Sequence, residues 1–357
     1  EDACAMASCC RPLISLCAGG HSRLLLARSR ALSLLASSMQ HENKQRTFVE
    51  FAGPGQVRVG DEAVPSRGLN EVTVQAALSA ISSGTERHVL SGSLVAAAEP
   101  ADVSIGALNS EAPAWPLRYG YALVGHVIDG SSGFSSTANG TRVFCFHPHA
   151  SIANVPASDA REIPDDVDNL DAAFFASMET ALSLVQDAAP IVGDRVAVLG
   201  AGTVGALSAA LLDHHGFRVG LFEPDACRRE AIVAQCSKVQ QADLADIGSG
   251  FDILIETSGS ATGLANAVRL ARRGGRIIVG SWYGEDGVVL PLGLRFHRSE
   301  LTIASSQVSR VSAALSTRWS KERRADLAWS MLRELRPSQW VPLLKFPVDS
   351  AADAYRE

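Results

Sequence analysis

The stretch Arg195-Val-Ala-Val-Leu-Gly-Ala-Gly-Thr-Val-Gly205 decides the fold. An apolar, β-branched run breaks into glycines at 200, 202 and 205 and then continues as an amphipathic helical pattern. Gly200 permits a tight turn out of a strand, Gly202 lets backbone N–H groups approach a pyrophosphate, and Gly205 lets the following helix pack close to the strand. The helix start at Thr203 and Val204 presents unpaired N–H donors and a partial positive charge to the phosphates. Glycine-rich turns are common, so the flanks have to agree, and they do. Val192-Gly-Asp194 is a turn feeding the strand, 206–213 is helix-like, and Phe217-Arg-Val-Gly-Leu-Phe222 reads as the next buried parallel strand. That strand ends at Glu223, roughly 20 residues past the glycine turn, where an acid would accept hydrogen bonds from the adenosine ribose. Glu223 would repel a 2′-phosphate and favours NAD, whereas Arg228 and Arg229 shortly after it leave NADP open.

The chain of 357 residues is long enough for two cores. With 46% hydrophobic residues and a net charge of -6 the composition is that of an ordinary globular enzyme. It contains no basic tract interleaved with aromatics to meet nucleic acid and no apolar run long enough to span a bilayer. Cys4, Cys9, Cys10 and Cys17 cluster near the start, and Cys145, Cys227 and Cys236 are scattered. This spacing is neither a disulfide framework nor the paired-cysteine pattern of a structural zinc lobe. Residues 6–39 carry Arg11, Arg23, Arg28 and Arg30 among Leu, Ser and Ala with no acid. Residues 1–40 therefore read as an organellar transit peptide, for mitochondrion or plastid, or else as a disordered tail on a cytoplasmic protein.

From 47 to 165 the text is strand-like, at 46–51, 57–59, 71–82, 123–128, 142–146 and 151–155, between Gly/Pro/Asn/Asp turns. Residues 92–116 read as a mobile loop. From 166 to 335 helices and strands alternate: helix 171–188, strands 195–199, 218–222 and 251–256, helix 262–272, strands 276–280 and 301–305, and a charged amphipathic helix 318–335. The fold class is α/β, a doubly wound Rossmann sheet plus a β-rich domain, with 336–357 returning to the latter.

The order β-rich domain, glycine-turn sheet and C-terminal return resembles the medium-chain dehydrogenase/reductase superfamily, of alcohol-dehydrogenase type. Gly140-Thr-Arg-Val143 and Gly274-Gly-Arg-Ile-Ile-Val-Gly280 match its motifs. Ser79-Ala-Ile-Ser-Ser-Gly-Thr-Glu86 with Ser281-Trp-Tyr-Gly284 resembles a zinc-type alcohol dehydrogenase-like subgroup related to bacteriochlorophyllide hydroxyethyl dehydrogenases. The resemblance implies a GroES-like substrate domain, cofactor and a small-molecule substrate held between the domains, a homodimer, and further chain beyond Glu357.

It also implies a zinc site that this sequence does not supply. The positions for the three ligands fall on Ser82 or Ser83, on Tyr121 in Gly120-Tyr-Ala122, and near Ala176. No zinc is expected there. Cys145, His147 and His149 alternate and could share one strand face, or could be a buried cysteine beside two ordinary histidines. Without a metal, polar side chains must handle the substrate oxygen. Tyr121 could donate to a developing alkoxide or merely fill the former metal space. Thr85 and Glu86, placed at a strand end, and Glu179 could relay protons or orient substrate. Glu86 could equally pair with Arg87. Ser258 and Gly259, after Ile253-Leu-Ile-Glu256, and Gly280 and Ser281 would line the nicotinamide side by family resemblance. Trp282 would do so too, or belong to an interdomain core. The expected activity is alcohol and ketone or aldehyde interconversion. Reduction of an activated C=C bond, or nucleotide sensing without turnover, are the alternatives.

Overall fold

The computed structural model describes residues 13–17, 44–93, 115–130, 138–243, 250–283 and 287–357. The chain begins with β1 (Leu13–Cys17), β2 (Gln45–Gly53), β3 (Gln56–Ala63), β4 (Glu71–Ile81), α1 (Thr85–Ser91), β5 (Leu123–Asp129), β6 (Arg142–Cys145), β7 (Ile152–Pro156) and β8 (Arg161–Glu162). It continues through α2 (Asn169–Ala172), α3 (Phe175–Ala188), β9 (Val196–Leu199), α4 (Thr203–His214), β10 (Val219–Phe222), α5 (Ala226–Gln235) and β11 (Val239–Gln241). Then come β12 (Phe251–Glu256), α6 (Ala261–Leu270), β13 (Ala271–Val279), β14 (Thr302–Ser305), α7 (Lys321–Leu335), β15 (Leu343–Pro347) and α8 (Ala351–Ala354). Contacts divide these elements into two compact units. One is built on Pro164–Leu344 with Ser83–His88, the other on Ile14–Ser82, Val89–Ile163 and Lys345–Glu357.

The first unit is a six-stranded parallel sheet in the order β11-β10-β9-β12-β13-β14. Its first strand in sequence, β9, is central because all four of its residues are buried and apolar, so both faces need cover. Val196 and Val198 point to a core shared with Leu184, Ala188, Ala206, Ala209 and Leu212 of α3 and α4. Ala197 and Leu199 point to the opposite core, with Leu264, Ala267 and Val268 of α6. This strict alternation is the period-2 pleat acting on a doubly covered strand. Because β10 and β12 flank β9, the strand order reverses there, and such a switch point opens a crevice at the carboxyl ends of the strands.

Several helix boundaries differ from the periodicity. The expected helix 171–188 is broken into α2 and α3, with Asp168 capping α2 through the N–H of Asp171. The expected 262–272 helix stops at Leu270, since Ala271 is extended and pairs with Phe251 while its carbonyl accepts from Arg295. The 318–335 helix starts at Lys321 because the Ser320 side chain caps the N–H of Arg323. Helix α5 and strand β11 carry too few apolar residues to show in the pattern; α5 buries Ile232 and relies on its Asp225 cap.

The second unit holds a seven-stranded sheet in the order β15-β1-β4-β5-β6-β8, with β7 also on β4, and the antiparallel ribbon β2–β3. Its core is Val72, Val74, Leu123, Val127, Val143 and Cys145, alternate residues turned to one side. The backbone of Leu13–Cys17, which lies in the segment read as a transit peptide or tail, pairs antiparallel with β4, placing Ile14 opposite Ile81 and Cys17 opposite Leu78. The backbone groups of β4 on that side need partners, and an extended segment supplies them. The loop expected at 92–116 falls largely at 94–114, outside the described residues. Among the described residues no helix is long and apolar enough to cross a membrane.

A charge cluster pins the ribbon. Arg118 forks onto both oxygens of Glu62 at 2.7 and 2.8 Å, and Arg46 reaches the same carboxylate at 2.7 Å. The Arg118 guanidinium also lies 3.5 Å over the Phe48 ring. The hydrogen bond from Arg118 is the chief reason that the Glu62 carboxyl is lowered to about 2. A depressed carboxyl contributes stability above its unfolded value, near 4.5, that is lost as pH falls toward 2. Glu62→Gln is therefore expected to lower stability by about 1 kcal/mol at pH 7, with the deficit shrinking between pH 4.5 and 2. Urea unfolding of both proteins across that range checks it.

Candidate functional site

The switch point is built by backbone. Gly200 leaves β9 at a φ of +93°, and its N–H donates to the carbonyl of Phe222 at 2.8 Å. A Cβ there would stand 2.6 Å from the Ser258 Cα, so the turn after β12 leans directly on the glycine. A Cβ at Gly205 would stand 1.9 Å from the Gly200 carbonyl oxygen, so α4 is seated against the turn with no room for a side chain. Gly202 is different: a Cβ there meets nothing within 4 Å. It is the N-cap of α4 and offers no side-chain hydrogen bond, so the first-turn N–H groups at Thr203 and Val204 face open space. A helix start of this kind can take an anion.

Glu223 follows β10 at the edge of this turn. Its carboxylate accepts from the N–H of Ala201 at 2.6 Å and from the N–H of Asp225 at 2.9 Å. Each oxygen keeps lone-pair capacity for a further donor, as a ribose hydroxyl would supply. The two arginines separate. Arg229 donates to the Glu223 carbonyl at 2.8 Å. Arg228 lines a pocket with Ala201, Thr203, Ala206, Ile232 and Trp340, and its Nε is buried there with no hydrogen-bond partner. A buried, unpartnered guanidinium nitrogen beside a helix N-terminus fits an oxygen-rich, anionic ligand. On these observations the residues present fit a dinucleotide.

On the other side of β9 the turns after β12 and β13 meet. The Gly259 N–H donates to the Ser281 hydroxyl at 2.8 Å, and the Gly280 N–H donates to the Glu256 carbonyl at 2.8 Å. Ser258 donates to the Glu256 carboxylate through its N–H at 2.8 Å and through its hydroxyl. Tyr283 donates to the other Glu256 oxygen. Trp282 keeps 36% exposure, and its ring lies 5.3 Å from that of His88 on α1. Glu256, Tyr283 and His88 were not singled out from sequence. The available signal was an acid ending an otherwise apolar buried strand, Ile253-Leu-Ile-Glu256.

The expected catalytic residues are dispersed over both units. Thr85 and Glu86 lie in the first turn of helix α1 rather than on a strand end, since β4 stops at Ile81 and the Ser82–Gly84 turn intervenes; Glu86 is fully buried. Glu179 is also buried, and its carboxylate lies 3.8 Å from Arg324 Nε. Arg324 in turn donates to Ser183 and to the carbonyls of Arg310 and Val308, so Glu179 belongs to a buried ion pair between α3 and α7. Tyr121 is half-buried in a cluster with Phe51, Val89 and Tyr119, its ring edge-on to Tyr119 at 6.2 Å.

Cys145, His147 and His149 do not converge. Strand β6 ends at Cys145, so the alternation stops before the histidines. Burial pushes the Cys145 thiol up to about 12 and His147 down to about 4. His147 Nδ1 turns to the Pro148 carbonyl at 2.6 Å, and His149 Nδ1 meets the Ser79 hydroxyl at 2.6 Å. Among the described residues no group of three His, Cys, Asp or Glu side chains could hold a metal ion.

No family model matches the chain. It is 28% identical to L-threonine 3-dehydrogenase of Marinomonas sp. strain MWYL1 over 150 residues, 38% of this chain and 42% of the relative. It is 26% identical to D-guloside 3-dehydrogenase of Escherichia coli K12 over 235 residues, 60% of this chain and 66% of the relative. The chain thus spans about two fifths of the length of the first of these relatives and just under two thirds of the second. Among solved structures, an alcohol dehydrogenase from Escherichia coli CFT073 complexed with NADH superposes with a TM-score of 0.63 at 18% identity, covering 82% of this chain and 90% of that one.

The contrast between two glycines yields a test. Gly202→Leu should fold with an unchanged melting temperature, because its Cβ enters open space, yet lose dinucleotide binding. Gly205→Ala should instead lower the melting temperature, because its Cβ meets the Gly200 carbonyl. Thermal melts and NADH titration of both variants check this; retained NADH binding by Gly202→Leu would dismantle the assignment of this helix start to an anion. In sequence this chain is similar over part of its length to threonine and guloside dehydrogenases, and in fold it is similar to a solved alcohol dehydrogenase.

Proposed function

We propose that this chain is an NAD(P)-dependent oxidoreductase that interconverts an alcohol and a ketone or aldehyde by hydride transfer, with NAD preferred and no catalytic zinc. One observation carries the reading: a glycine turn with an uncapped helix start and an acid at the end of the next strand, all at the switch point of the parallel sheet. The nicotinamide, when bound, accepts or gives the hydride. The residues of the chain have the remaining tasks of binding, orienting and moving a proton.

The adenosine half belongs at Glu223, whose carboxylate favours a free 2′-hydroxyl over a phosphate. Among the described residues, Arg228 is the feature that supports NADP. The α4 N-terminus holds the pyrophosphate. Absence of zinc is supported by the donor set. Ser82, Ser83, Tyr121 and Ala176 offer neither thiolate nor imidazole where the family resemblance puts ligands. In that case the oxygen of the substrate needs another hydrogen-bond donor, and the Tyr121 phenol is proposed for it.

The test is turnover of alcohol, ketone and enone panels with NADH and NADPH by the purified full chain. Ketone or alcohol turnover with NAD(H) ahead of NADP(H) is the expected result, and Tyr121→Phe should reduce kcat by about 10²-fold with NADH affinity unchanged. Enone turnover alone would replace the reading with C=C reduction. Tight nucleotide binding with no turnover on any panel would replace it with a nucleotide sensor. One zinc bound per chain would overturn the metal-free part.

A further inference from the structure

Glu256 is a buried acid of the parallel-sheet unit whose hydrogen-bond donors are neutral groups. It is 0% exposed, and three donors converge on it: the Ser258 N–H and hydroxyl on one oxygen, the Tyr283 phenol on the other. Each donor has a direction. The Ser258 hydroxyl accepts from the N–H of Ser260 at 3.1 Å, so its own hydrogen goes to Glu256. The Tyr283 phenol is held in its protonated form by burial and by the Glu256 carboxylate. The Ser281 hydroxyl accepts from the Gly259 N–H. Joined by the short backbone segments 256–259 and 281–283, these hydrogen bonds therefore close a ring that runs from the turn after β12, through the turn after β13, and back to the last residue of β12.

The ring is also sterically enclosed. A Cβ at Gly263, in the first turn of α6, would stand 2.1 Å from the Ser258 hydroxyl oxygen and 3.3 Å from a Glu256 oxygen. A Cβ at Gly280 would stand 2.7 Å from Leu184. Helix α6 and helix α3 thus close on the two turns from either side, and the acid between them has acceptor work at both oxygens. Such a fully satisfied buried network makes a local structure unique, whereas a half-satisfied one loosens it.

The position of the ring gives it a task. In the sheet order β10-β9-β12-β13, Glu223 marks the β10 side of the glycine turn, where the adenosine half is assigned. A dinucleotide that crosses the switch point must lay its other half over the ends of β12 and β13. Those ends carry Ser258, Gly259, Ser281 and the exposed Trp282, which lies between two members of the ring. We propose that Glu256, with Tyr283 as its partner, is a positioning residue that locks the turns after β12 and β13 together so that they receive the nicotinamide half of the cofactor. Tyr283 is not the acid of the reaction, because its proton is committed to Glu256. The proposal rests on the dinucleotide reading above.

The experiment compares NADH with ADP-ribose, which lacks the nicotinamide, by calorimetric titration of the full chain and its Glu256→Gln and Tyr283→Phe variants. An amide in place of the carboxylate has one acceptor oxygen and cannot take donors on both sides. Glu256→Gln should weaken NADH about tenfold, the size of one lost hydrogen bond to a charged group, and leave ADP-ribose within about twofold. Tyr283→Phe should shift the same ratio in the same direction by a smaller factor. Equal weakening of both ligands would reduce Glu256 to a general structural role and overturn the proposal, as would an unchanged ratio in both variants. If Glu256→Gln fails to fold, the ratio in Tyr283→Phe decides alone. Wild-type chain that binds neither ligand would remove the dinucleotide reading and this proposal together, whereas wild-type binding with an unmoved ratio removes only the latter.

Discussion

The contact on which the parallel-sheet unit depends is the seating of Gly205 against the carbonyl of Gly200, at a distance where a Cβ would stand only 1.9 Å from that oxygen. The same carbonyl accepts from the Thr257 hydroxyl at 3.1 Å, and a Cβ on Gly200 would collide with Ser258. Strand β9, helix α4 and the end of β12 therefore meet backbone to backbone. Close approach brings the helix start to the crevice and places its unpaired N–H groups in the open space around Gly202. Every assignment at the site, from the helix start to the two turns beyond it, presupposes that three elements can come this near with no side chain between them.

Three acids of this unit show why residue type alone does not assign a role. Glu223 is half-buried and Glu256 and Glu179 are buried, and their partners differ in kind. Glu223 takes backbone N–H groups at the rim of the glycine turn and keeps lone pairs for a ligand. Glu256 takes neutral donors from two turns and is enclosed. Glu179 faces the Arg324 guanidinium, which is itself 3% exposed and also binds Ser183 and two carbonyls. Breaking such a buried pair by removing one partner strands a charge, which makes Glu179 a brace between α3 and α7. The first is open to a ligand, the second positions, the third supports.

The metal question turns on the same distinction. The sequence alternation Cys145, His147, His149 invites a shared face, and alternation does place side chains on one face while the backbone stays extended. Here the extended run ends at Cys145, Pro148 lies between the histidines, and each imidazole finds a different partner, Pro148 for one and Ser79 for the other. A spacing argument taken from strands has no force once the strand has stopped.

The glycine turn, the two central strands and the alternation of helices with strands were legible in the sequence because they rest on local physics: β-branched apolar runs, glycines at fixed offsets and helical periodicity. The chain by itself determined the α/β class, the glycine turn and the acid that follows the next strand. Helix ends at Ala172, Leu270 and Lys321 were less legible, since caps and the first residues of strands depend on partners brought from elsewhere. Tertiary structure alone decided that Thr85 and Glu86 ride a helix, that Glu179 is paired with a residue far along the chain, and that Tyr283 reaches Glu256. The last two are non-local contacts, and no propensity or period within a short window encodes which distant side chain will satisfy a buried charge.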